Sequence, residues 1–392
     1  MFPLPLGYRY AAVHAGIRKD ARDDLALIVS DVTASAAGVF TTNLVQASPV
    51  RLAKAHLKAS KGTARAIMVN AGNANCATRT GDKVALDTCT AAAKALKIPV
   101  EQVLPASTGV IGVEMDGMKL RKALPAMSKS LNEDFEKVAN AILTTDLVQK
   151  KAAARVGCKG GTVTISGMTK GSGMIHPLMG TTLAFLMTDA KLSPADLKPM
   201  LQRATARSFN RLSVDGDTST NDTIFLLANG ASGVSLSRGE KMVFEEALTH
   251  LLSDLALQIA RDGEGASKLI TIDVTGASSE AAAEKIARTI ANSPLVKTAI
   301  YGNDANWGRI LCAAGYAGVK FNPAKVDIDL QGVTVCRDGL AAKYKEDELK
   351  QMLMVPDVKI SFRIQGKGTG HARFFTCDFT EGYIKINASY RS

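Results

Sequence analysis

Short apolar runs, separated by polar turns, dominate the first half of the chain. Residues 25–29, 36–40 and 64–70 are each mostly apolar, and a similar run covers residues 183–187. Runs of this length are typical of strands buried on both faces, although residues 183–187 also suit the start of a buried helix. We therefore expect several buried strands in this half.

Apolar residues at helical spacing predict helices between these strands. The strongest helix covers residues 242–262, where an apolar stripe precedes Gly263, a residue suited to ending it. Further helices are predicted over residues 81–98, 132–143, 194–209 and 279–292, and through Ile310 and Ala314.

Alternating apolar and polar positions predict further strands near the end of the chain. Residues 270–274 form one such strand, and residues 326–330 and 333–335 form a hairpin around Gln331 and Gly332. Further strands are predicted at residues 296–300, 358–364 and 371–377, the last two paired with each other. Because strands and helices are interspersed throughout, the predicted class is α/β with mixed sheets, in one large unit or two domains.

The charge of the chain favours anionic ligands without indicating nucleic acid. The 392 residues carry a net charge of +11, and the pI is about 9.3. A nucleic-acid-binding protein clusters its Lys and Arg residues, whereas here they are scattered. The positive field therefore indicates a basic surface that attracts anionic substrates.

Cysteine and histidine spacing predicts neither a metal site nor a disulfide framework. The six cysteines form no Cys-x-x-Cys pair, and the five histidines lie far apart in the sequence. We expect a reducing, cytoplasmic setting and no metal. The first residues lack a basic start before an apolar run, and no apolar stretch is as long as a membrane span.

The stretch at residues 170–190 carries the most specific chemistry. It joins a Gly-rich turn to an apolar run, with Gly180 and Thr181 at the junction. If the chain is cut before Thr181, the freed α-amino group, with a reference pKa of about 7.7–8.0, can act as the base that a threonine nucleophile needs. Taken alone, the same residues also suit a plain loop entering a core strand, and a cut before Thr182 would likewise leave an N-terminal threonine.

Other polar clusters read either as turns or as parts of a site. Thr108 and Gly109 can point a hydroxyl and an N–H to one side, as an oxyanion requires, yet they also suit a strand turn. Thr144 follows the helix predicted over residues 132–143. Glu264 lies between two glycines, after the helix predicted over residues 242–262. The Asp- and Asn-rich loop at residues 210–222 lacks the spacing of an EF-hand, so we expect it to organise a site without metal.

These motifs together resemble the ornithine acetyltransferase family, the J enzyme of arginine biosynthesis. The family's self-cleavage region reads Lys-Gly-Ser-Gly-Met-Ile, a proline, then Met-Ala-Thr-x-Leu-Ala-Phe. Here Gly180 replaces the usual alanine, and His176 and Leu178 replace smaller or polar residues. The resemblance extends over the whole chain through the segments at residues 70–75, 107–112, 144–146, 209–222, 262–266 and 302–309.

The resemblance implies acetyl transfer from N2-acetyl-L-ornithine to L-glutamate. Thr181 would be the nucleophile, with Thr108 and Gly109 as the oxyanion hole and Gly180–Thr181 as the cleavage site. The substrate-binding residues would be Thr144, Lys170, Thr181, Glu264, Asn387 and Ser392, the last in place of a common threonine. Lys170 would also lower the pKa of the Thr181 ammonium.

The resemblance also implies an architecture and an assembly. Sheets would pack between helical layers, as in the DmpA and ornithine acetyltransferase fold. Residues 1–180 and 181–392 would be the two fragments, with a smaller α/β region at about 270–392. No cofactor is expected, although acetyl-CoA can serve as a substrate in the family, and the assembly would contain two copies of each fragment.

Two alternatives remain open from the sequence. A related N-terminal-nucleophile aminopeptidase or amidohydrolase would give the acyl group to water, but those relatives usually carry serine where Thr181 stands. A basic nucleic-acid-binding protein without enzymatic activity would show a steeply salt-dependent affinity.

Overall fold

A computed structural model describes residues 2–176 and 182–389, with the side chain of Ser389 excepted. The first 228 residues contribute a mixed sheet with the strand order β4-β3-β2-β8-β7-β6-β5, and β1 pairs with β2 outside this order. Its strands are β1 (Tyr8–Val13), β2 (Leu25–Phe40), β3 (Thr63–Asn70), β4 (Val103–Ser107), β5 (Lys150–Cys158), β6 (Gly161–Lys170), β7 (Leu183–Thr188) and β8 (Thr223–Ala228).

Strand β2 bends this sheet into two layers. Its first residues pair with β3, its last residues pair with β8, and the register with β3 shifts between Val29 and Ala34. Residues 31–33, within the shift, are exposed. A bulge of this kind bends a strand and increases its twist. We predicted two strands here, at residues 25–29 and 36–40; the structure corrects this to one bent strand of 16 residues.

A buried apolar cluster fills the space between the two layers. Ile67 and Leu104 from the β3–β4 layer belong to the same cluster as Phe185 and Phe225 from the β7–β8 layer. Helices cover the outer faces, so the order of layers is helix, sheet, sheet, helix. The helices of this region are α1 (Ser48–Ala59), α2 (Gly81–Leu96), α3 (Gly117–Lys129), α4 (Phe135–Ala141), α5 (Pro194–Ala206) and α6 (Arg238–Arg261).

Strand β7 is buried on both faces. Ala184 and Leu186 pack outward beneath α5 and α6, whereas Leu183, Phe185 and Met187 point into the space between the layers. A strand with two buried faces needs a continuous apolar run without alternation, so periodicity could not separate it from a buried helix. The structure decides in favour of the strand.

The last part of the chain forms a second mixed sheet, with the order β12-β11-β10-β13-β9-β14. Its strands are β9 (Leu269–Ala277), β10 (Val326–Leu330), β11 (Val333–Arg337), β12 (Leu340–Ala341), β13 (Asp357–Ile364) and β14 (Gly370–Cys377). The helices of this part are α7 (Glu280–Ala291), α8 (Pro294–Tyr301), α9 (Trp307–Gly315), α10 (Glu346–Met352) and α11 (Glu381–Ser389). The predicted α/β class with mixed sheets between helical layers is confirmed.

Two predictions in this part were wrong. Residues 296–300 are not a strand but part of α8, because Ser293 caps the helix by accepting from Val296 N and Pro294 occupies its first turn. Strands β13 and β14 do not pair with each other, since β9 lies between them, parallel to β13 and antiparallel to β14.

Helix α11 returns to the first part of the chain after β14. Tyr383 donates from its hydroxyl to Asp215, and Asn387 donates to Glu264. Helix α11 is therefore tied to the loop that precedes β8 and to the segment that joins α6 to β9. Within residues 2–176 and 182–389, no helix is both long and apolar enough to cross a lipid bilayer.

The packing of β7 gives a direct test of the fold. We expect Leu186→Ala to lower the free energy of unfolding by about 2–5 kcal/mol, because it opens a cavity beneath α5 and α6 at a fully buried position. Leu44→Ala, at a position that is 98% exposed, serves as the control and should change the free energy of unfolding by less than about 0.5 kcal/mol. Urea denaturation followed by circular dichroism measures both, and equal effects would contradict the assignment.

Candidate active site

A cavity of about 310 Å³ lies where loops from both layers of the larger sheet meet α11. Among the described residues, most of its lining is polar. It is lined by Ala74, Thr108, Gly109, Ile111, Thr144, Thr145, Lys170, Gly173, Met174, Asp215, Asp217, Ser219, Thr220, Asn221, Glu264, Tyr383 and Asn387.

Thr108 and Gly109 form a tight turn directly after β4. Thr108 N donates to Asn70 O at 2.9 Å, and its side chain is buried. Gly109 has a φ of +129°, and a Cβ there would lie 2.6 Å from the carbonyl carbon of Gly72 and 2.7 Å from Asn73 N. Only glycine fits such a position, so the loop at residues 70–75 fixes the geometry of this turn.

The loop at residues 70–75 is held by its own asparagine side chains. Asn70 donates to Asn73 O at 2.7 Å, and Asn73 accepts from Asn75 N at 2.7 Å. All three asparagines are buried, so these bonds satisfy groups that water cannot reach. The loop supports the Thr108–Gly109 turn, because Thr108 N donates to Asn70 O and Ala74 N donates to Val110 O on either side of the turn.

Lys170 is the last residue of β6 and reaches the Thr108–Gly109 turn. Its Nζ donates to Thr108 Oγ1 at 3.2 Å, and the side chain is only 3% exposed. Burial lowers the pKa of Lys170, while the negative charge of Asp146 opposes this shift. Two residues 62 positions apart in sequence are thus brought into direct contact.

A buried ion cluster lies beside Lys170. Lys150, which is fully buried, pairs with Asp146 at 2.7 Å and with Asp262 at 2.5 Å. Asp146 also accepts from Gly171 N at 2.7 Å and from Thr144 N at 3.0 Å. Burial raises the pKa of Asp146, but the positive charges of Lys170 and Lys150 outweigh this and hold the pKa at about 2.

This ion cluster was not identified from the sequence. Asp146 was noted only as the last residue of a Thr-Thr-Asp triplet, and Lys150 and Asp262 carried no assigned role. Asp146 fixes both the backbone of Thr144 and the residue that follows Lys170, so it positions two predicted substrate-binding residues at once. The sequence gives no local signal for this cluster, because its members come from separate segments that the fold brings together.

The Asp- and Asn-rich loop connects the two layers at the cavity. Asn221 donates to Ala74 O at 2.7 Å and to Ser107 O at 2.8 Å, which joins the start of β8 to the end of β4. Asp222 accepts from Thr182 N at 2.8 Å. Among the described residues, no group of three or more His, Cys, Asp or Glu side chains is arranged to hold a metal ion.

Asp222 anchors the first described residue of the second half. Its side chain is fully buried, and burial raises its pKa well above the usual value. One carboxyl oxygen accepts from Thr182 N, and the other has no hydrogen-bond partner among the described residues. Gly180 and Thr181, the predicted cleavage site, lie outside the described residues, as does Ser392. Thr182 is therefore the described residue next to the predicted nucleophile in sequence.

Glu264 and Asn387 also line the cavity and contact each other. Glu264 N donates to Ser172 O at 2.7 Å, and Glu264 Oε2 accepts from Asn387 at 2.9 Å. A Cβ at Gly173 would lie 2.3 Å from Glu264 Oε2, so glycine is needed there for Glu264 to approach. The structure thereby brings Thr108, Gly109, Thr144, Lys170, Glu264 and Asn387 to one cavity.

Asp215 is a further cavity residue that sequence reasoning missed. It accepts from Met174 N at 2.6 Å and from Ile175 N at 2.8 Å, and Tyr383 donates to it at 3.3 Å. Burial raises the pKa of Asp215, whereas the backbone N–H groups lower it. This carboxyl group therefore holds the residues before His176 and the first turn of α11 in place.

Comparison with known proteins agrees with the motifs and covers almost the whole chain. Residues 9–392 match the model of the ArgJ family. The chain is 46% identical to the arginine biosynthesis bifunctional protein ArgJ of Nitratidesulfovibrio vulgaris, with 100% of both chains covered. This chain belongs to the ArgJ family. It is also 47% identical to the protein of the same name from Desulfotalea psychrophila, with 98% of this chain and 99% of that one covered.

Among solved structures, the chain aligns with the arginine biosynthesis bifunctional protein ArgJ of Bacillus halodurans. The two are 42% identical with a TM-score of 0.50, and the alignment covers 52% of this chain and 96% of that one. The resemblance to the ornithine acetyltransferase family is thereby confirmed. As a member of the ArgJ family, the chain is an acetyltransferase of arginine biosynthesis.

The ion cluster predicts a defined response to Asp146→Asn. We expect a loss of about 3–5 kcal/mol of unfolding free energy at pH 7, because Lys150 and Lys170 would lose a buried counter-charge. The control, Asp82→Asn, removes one half of an exposed pair with Arg51 and should cost less than about 1 kcal/mol.

The same variant should change the pH dependence of stability. The folded pKa of about 2 lies below the unfolded value, so the contribution of Asp146 is present above roughly pH 4 and is lost as the pH falls towards 2. Asp146→Asn should flatten this part of the stability profile clearly, whereas Asp82→Asn should flatten it only slightly, because hydrogen bonds from Ser48 and Arg51 lower the pKa of Asp82 at an exposed, solvent-screened position. Denaturation at pH 2–7 measures it, and an unchanged slope would contradict the charged state of Asp146.

Proposed function

We propose that this ArgJ family member transfers the acetyl group of N2-acetyl-L-ornithine to L-glutamate through an acetyl ester on Thr181. The observation that supports this most directly is the contact between Lys170 Nζ and Thr108 Oγ1, beside Gly109. This contact places donors that can stabilise an oxyanion in the cavity. The same cavity also holds polar groups that can bind an amino acid. The anchoring of Thr182 on Asp222 directs the start of β7 towards them.

Before the first turnover, water hydrolyses the peptide bond between Gly180 and Thr181, which leaves a carboxylate on Gly180 and frees the α-amine of Thr181. Thr181 Oγ then attacks the acetyl carbonyl carbon while this amine accepts the hydroxyl proton. Donors at Thr108 and Gly109 receive the negative charge on the carbonyl oxygen, and each such donor is worth about 3–4 kcal/mol in the transition state. The C–N bond breaks, ornithine leaves with the proton, and the acetyl group remains as an ester.

Glutamate completes the cycle in the same cavity. Its amine attacks the ester carbonyl carbon, the C–O bond to Thr181 breaks, and N-acetyl-L-glutamate leaves with the hydroxyl restored. Because ornithine departs before glutamate enters, the mechanism is ping-pong. A single cavity serves both substrates because each carries an α-carboxylate and an amine.

The charges of the cavity suit such substrates. Lys170 supplies positive charge near the oxyanion donors, whereas Glu264 and Asp217 supply carboxylates elsewhere in the lining. We assign substrate binding to Thr144, Lys170, Glu264, Asn387 and Ser392. A volume of about 310 Å³ lies at the lower end of the range for small-molecule sites and suits an acylated amino acid.

A second activity is proposed on the basis of the relatives' names. The proteins of N. vulgaris and D. psychrophila are both named bifunctional. We propose that acetyl-CoA also acylates Thr181, which would make N-acetylglutamate directly. The cavity is too small for a whole coenzyme A, so the nucleotide part would remain outside it.

Fragment length and assembly belong to the same proposal. The B. halodurans chain aligns over about half of this one, which is the coverage expected for one fragment of a chain cut near residue 181. We propose that two copies of each fragment assemble.

The competing aminopeptidase or amidohydrolase activity would release acetate from N-acetylornithine without an acceptor.

The nucleophile assignment is tested by Thr181→Ala. We expect both self-cleavage and acetyl transfer to be lost, because no other group supplies the hydroxyl and the amine together. Denaturing mass spectrometry would show one intact chain of 41.3 kDa, and a radiolabelled acetyl-transfer assay would show no product.

Thr182→Val is the matched control for this test. The Thr182 hydroxyl makes no hydrogen bond with a described residue, so its replacement by a methyl group should leave cleavage and transfer intact. Fragments beginning at residue 182 in the wild type, or transfer activity retained in Thr181→Ala, would overturn the assignment.

The role of Lys170 is tested through the pH profile of kcat/KM. Removal of a nearby positive charge should raise the pKa of the Thr181 ammonium, so the rising limb of the profile for cleaved Lys170→Met should move to higher pH. Lys170→Arg keeps the charge and should leave the limb near its original position. A profile that moves equally in both variants would indicate a geometric role for Lys170 instead.

A further inference from the structure

Part of β2 has an unpaired backbone edge. Pairing with β3 ends at Ser35 and Thr63, whereas pairing with β8 continues to Phe40. Ala36 N donates to Gly62 O at 2.8 Å, on the side away from β8. Because backbone groups alternate sides along a strand, Gly38 and Phe40 direct their N–H and C=O groups to that same side. No strand among the described residues pairs there.

This edge lies in a groove of about 1050 Å³ between α1 and α5. Leu57 and Lys58 of α1 line one wall, and Pro194 and Lys198 of α5 line the other. Phe40, from β2 itself, adds an aromatic surface. The groove is formed by the elements around β2 and shares none of its described lining residues with the active-site cavity.

The groove carries positive charge only. Its described lining includes Lys54, Lys58, Lys61 and Lys198 and no Asp or Glu. Lys54 lies 5.3 Å from the centre of the Phe40 ring and donates to Gln46 at 3.0 Å. The other three lysines are exposed and form no ion pair with a described residue. By contrast, three carboxylates line the active-site cavity.

We propose that this groove binds an extended, acidic segment of a partner protein, which adds to β2 as a further strand. Unpaired N–H and C=O groups at a strand edge give affinity to a polypeptide backbone, and pockets beside the edge select its side chains. Four lysines without acids select carboxylates. The same face of a second copy would carry the same charge and be repelled.

The length and polarity of the bound segment follow from the edge. Residues 36–40 span about 17 Å at roughly 3.3 Å per residue, which suits a segment of five to seven residues. Successive side chains of an added strand point to opposite walls. Acidic residues at alternate positions would meet the three lysines at the α1 wall, and apolar residues between them would face Pro194.

The probe for this proposal is a fluorescein-labelled peptide of alternating Glu and Val, seven residues long. Fluorescence anisotropy with the purified protein should give saturable binding. The triple variant Lys58→Glu, Lys61→Glu, Lys198→Glu should weaken binding at least tenfold. Its control is Lys320→Glu, Lys343→Glu, Lys367→Glu, at exposed positions outside the groove, which should weaken binding less than threefold. Both triple variants lower the net charge of +11 by six, to +5.

A backbone control separates strand addition from simple attraction between charges. The same peptide with alternate N-methylated residues keeps its carboxylates but loses half of its N–H donors, so its binding should fall at least tenfold. Acetyl-transfer activity should persist in both triple variants, which would show that they are folded.

Four results would overturn the proposal. The first is that the peptide does not bind, which would mean that the lysines only protect a strand edge against aggregation. The second and third are an equal loss of binding in both triple variants and binding that N-methylation of the peptide does not change. The fourth is equal competition by tripolyphosphate, which would indicate a general anion site.

Discussion

The bend in β2 is the constraint on which the rest of the structure depends. A flat sheet would hold the end of β4 and the start of β8 far apart, since β3 and β8 pair with opposite ends of β2. The shift of register between Val29 and Ala34 folds the sheet onto itself, and the apolar cluster between the layers stabilises the closed form. Asn221 can then bond to Ser107 and Ala74, and the neighbouring Asp222 can accept from Thr182 N, so adjacent residues hold both the segment before the Thr108–Gly109 turn and the residue at the start of β7.

The buried ion cluster performs a related task beside Lys170. Burial of Lys150, Asp146 and Asp262 carries a desolvation cost, and apolar side chains of similar volume would often be as stable. An apolar replacement, however, could not accept hydrogen bonds from Thr144 N and Gly171 N at the same time. The cluster therefore fixes loop positions around Lys170, and the negative charge of Asp146 opposes the lowering of the Lys170 pKa by burial.

The sequence predicted the elements better than their connections. The apolar runs located β3, β7 and β13, and the helical stripe located α6, because burial dictates these patterns locally. We predicted a break between two strands at residues 30–35. This was wrong, because the chain continues extended there through a bulge, and a hydrophobic pattern cannot distinguish a bulge from a turn. The pairing of β13 and β14 with β9 was missed for the same reason, since pairing partners depend on tertiary contacts between distant residues.

In the candidate site, too, the sequence predicted residues that belong to local motifs but not residues whose roles depend on distant contacts. Thr108, Gly109, Thr144, Lys170, Glu264 and Asn387 were named from motifs, and the structure brings all six to one cavity. Asp146, Asp215 and Asp222 were not named as site residues, because their roles are contacts with backbone N–H groups of other segments. Such a role leaves no local signal, since any loop rich in Asp and Asn reads equally well as turn chemistry.

The bend also explains why a groove and a cavity of different charge occur in one molecule. Closing the sheet forms the cavity at one place. The same departure of β2 from β3 leaves residues 36–40 with no described strand on the side away from β8 at another. An uncovered edge is a hazard that proteins usually limit with lysine, and four lysines lie in this groove. Those charges repel other copies of this basic chain but attract an acidic segment, so protection of the edge and recognition of a partner follow from one arrangement. Four of the 48 Lys and Arg residues thus lie in this groove with no acid in its described lining, whereas one lysine and three carboxylates line the cavity.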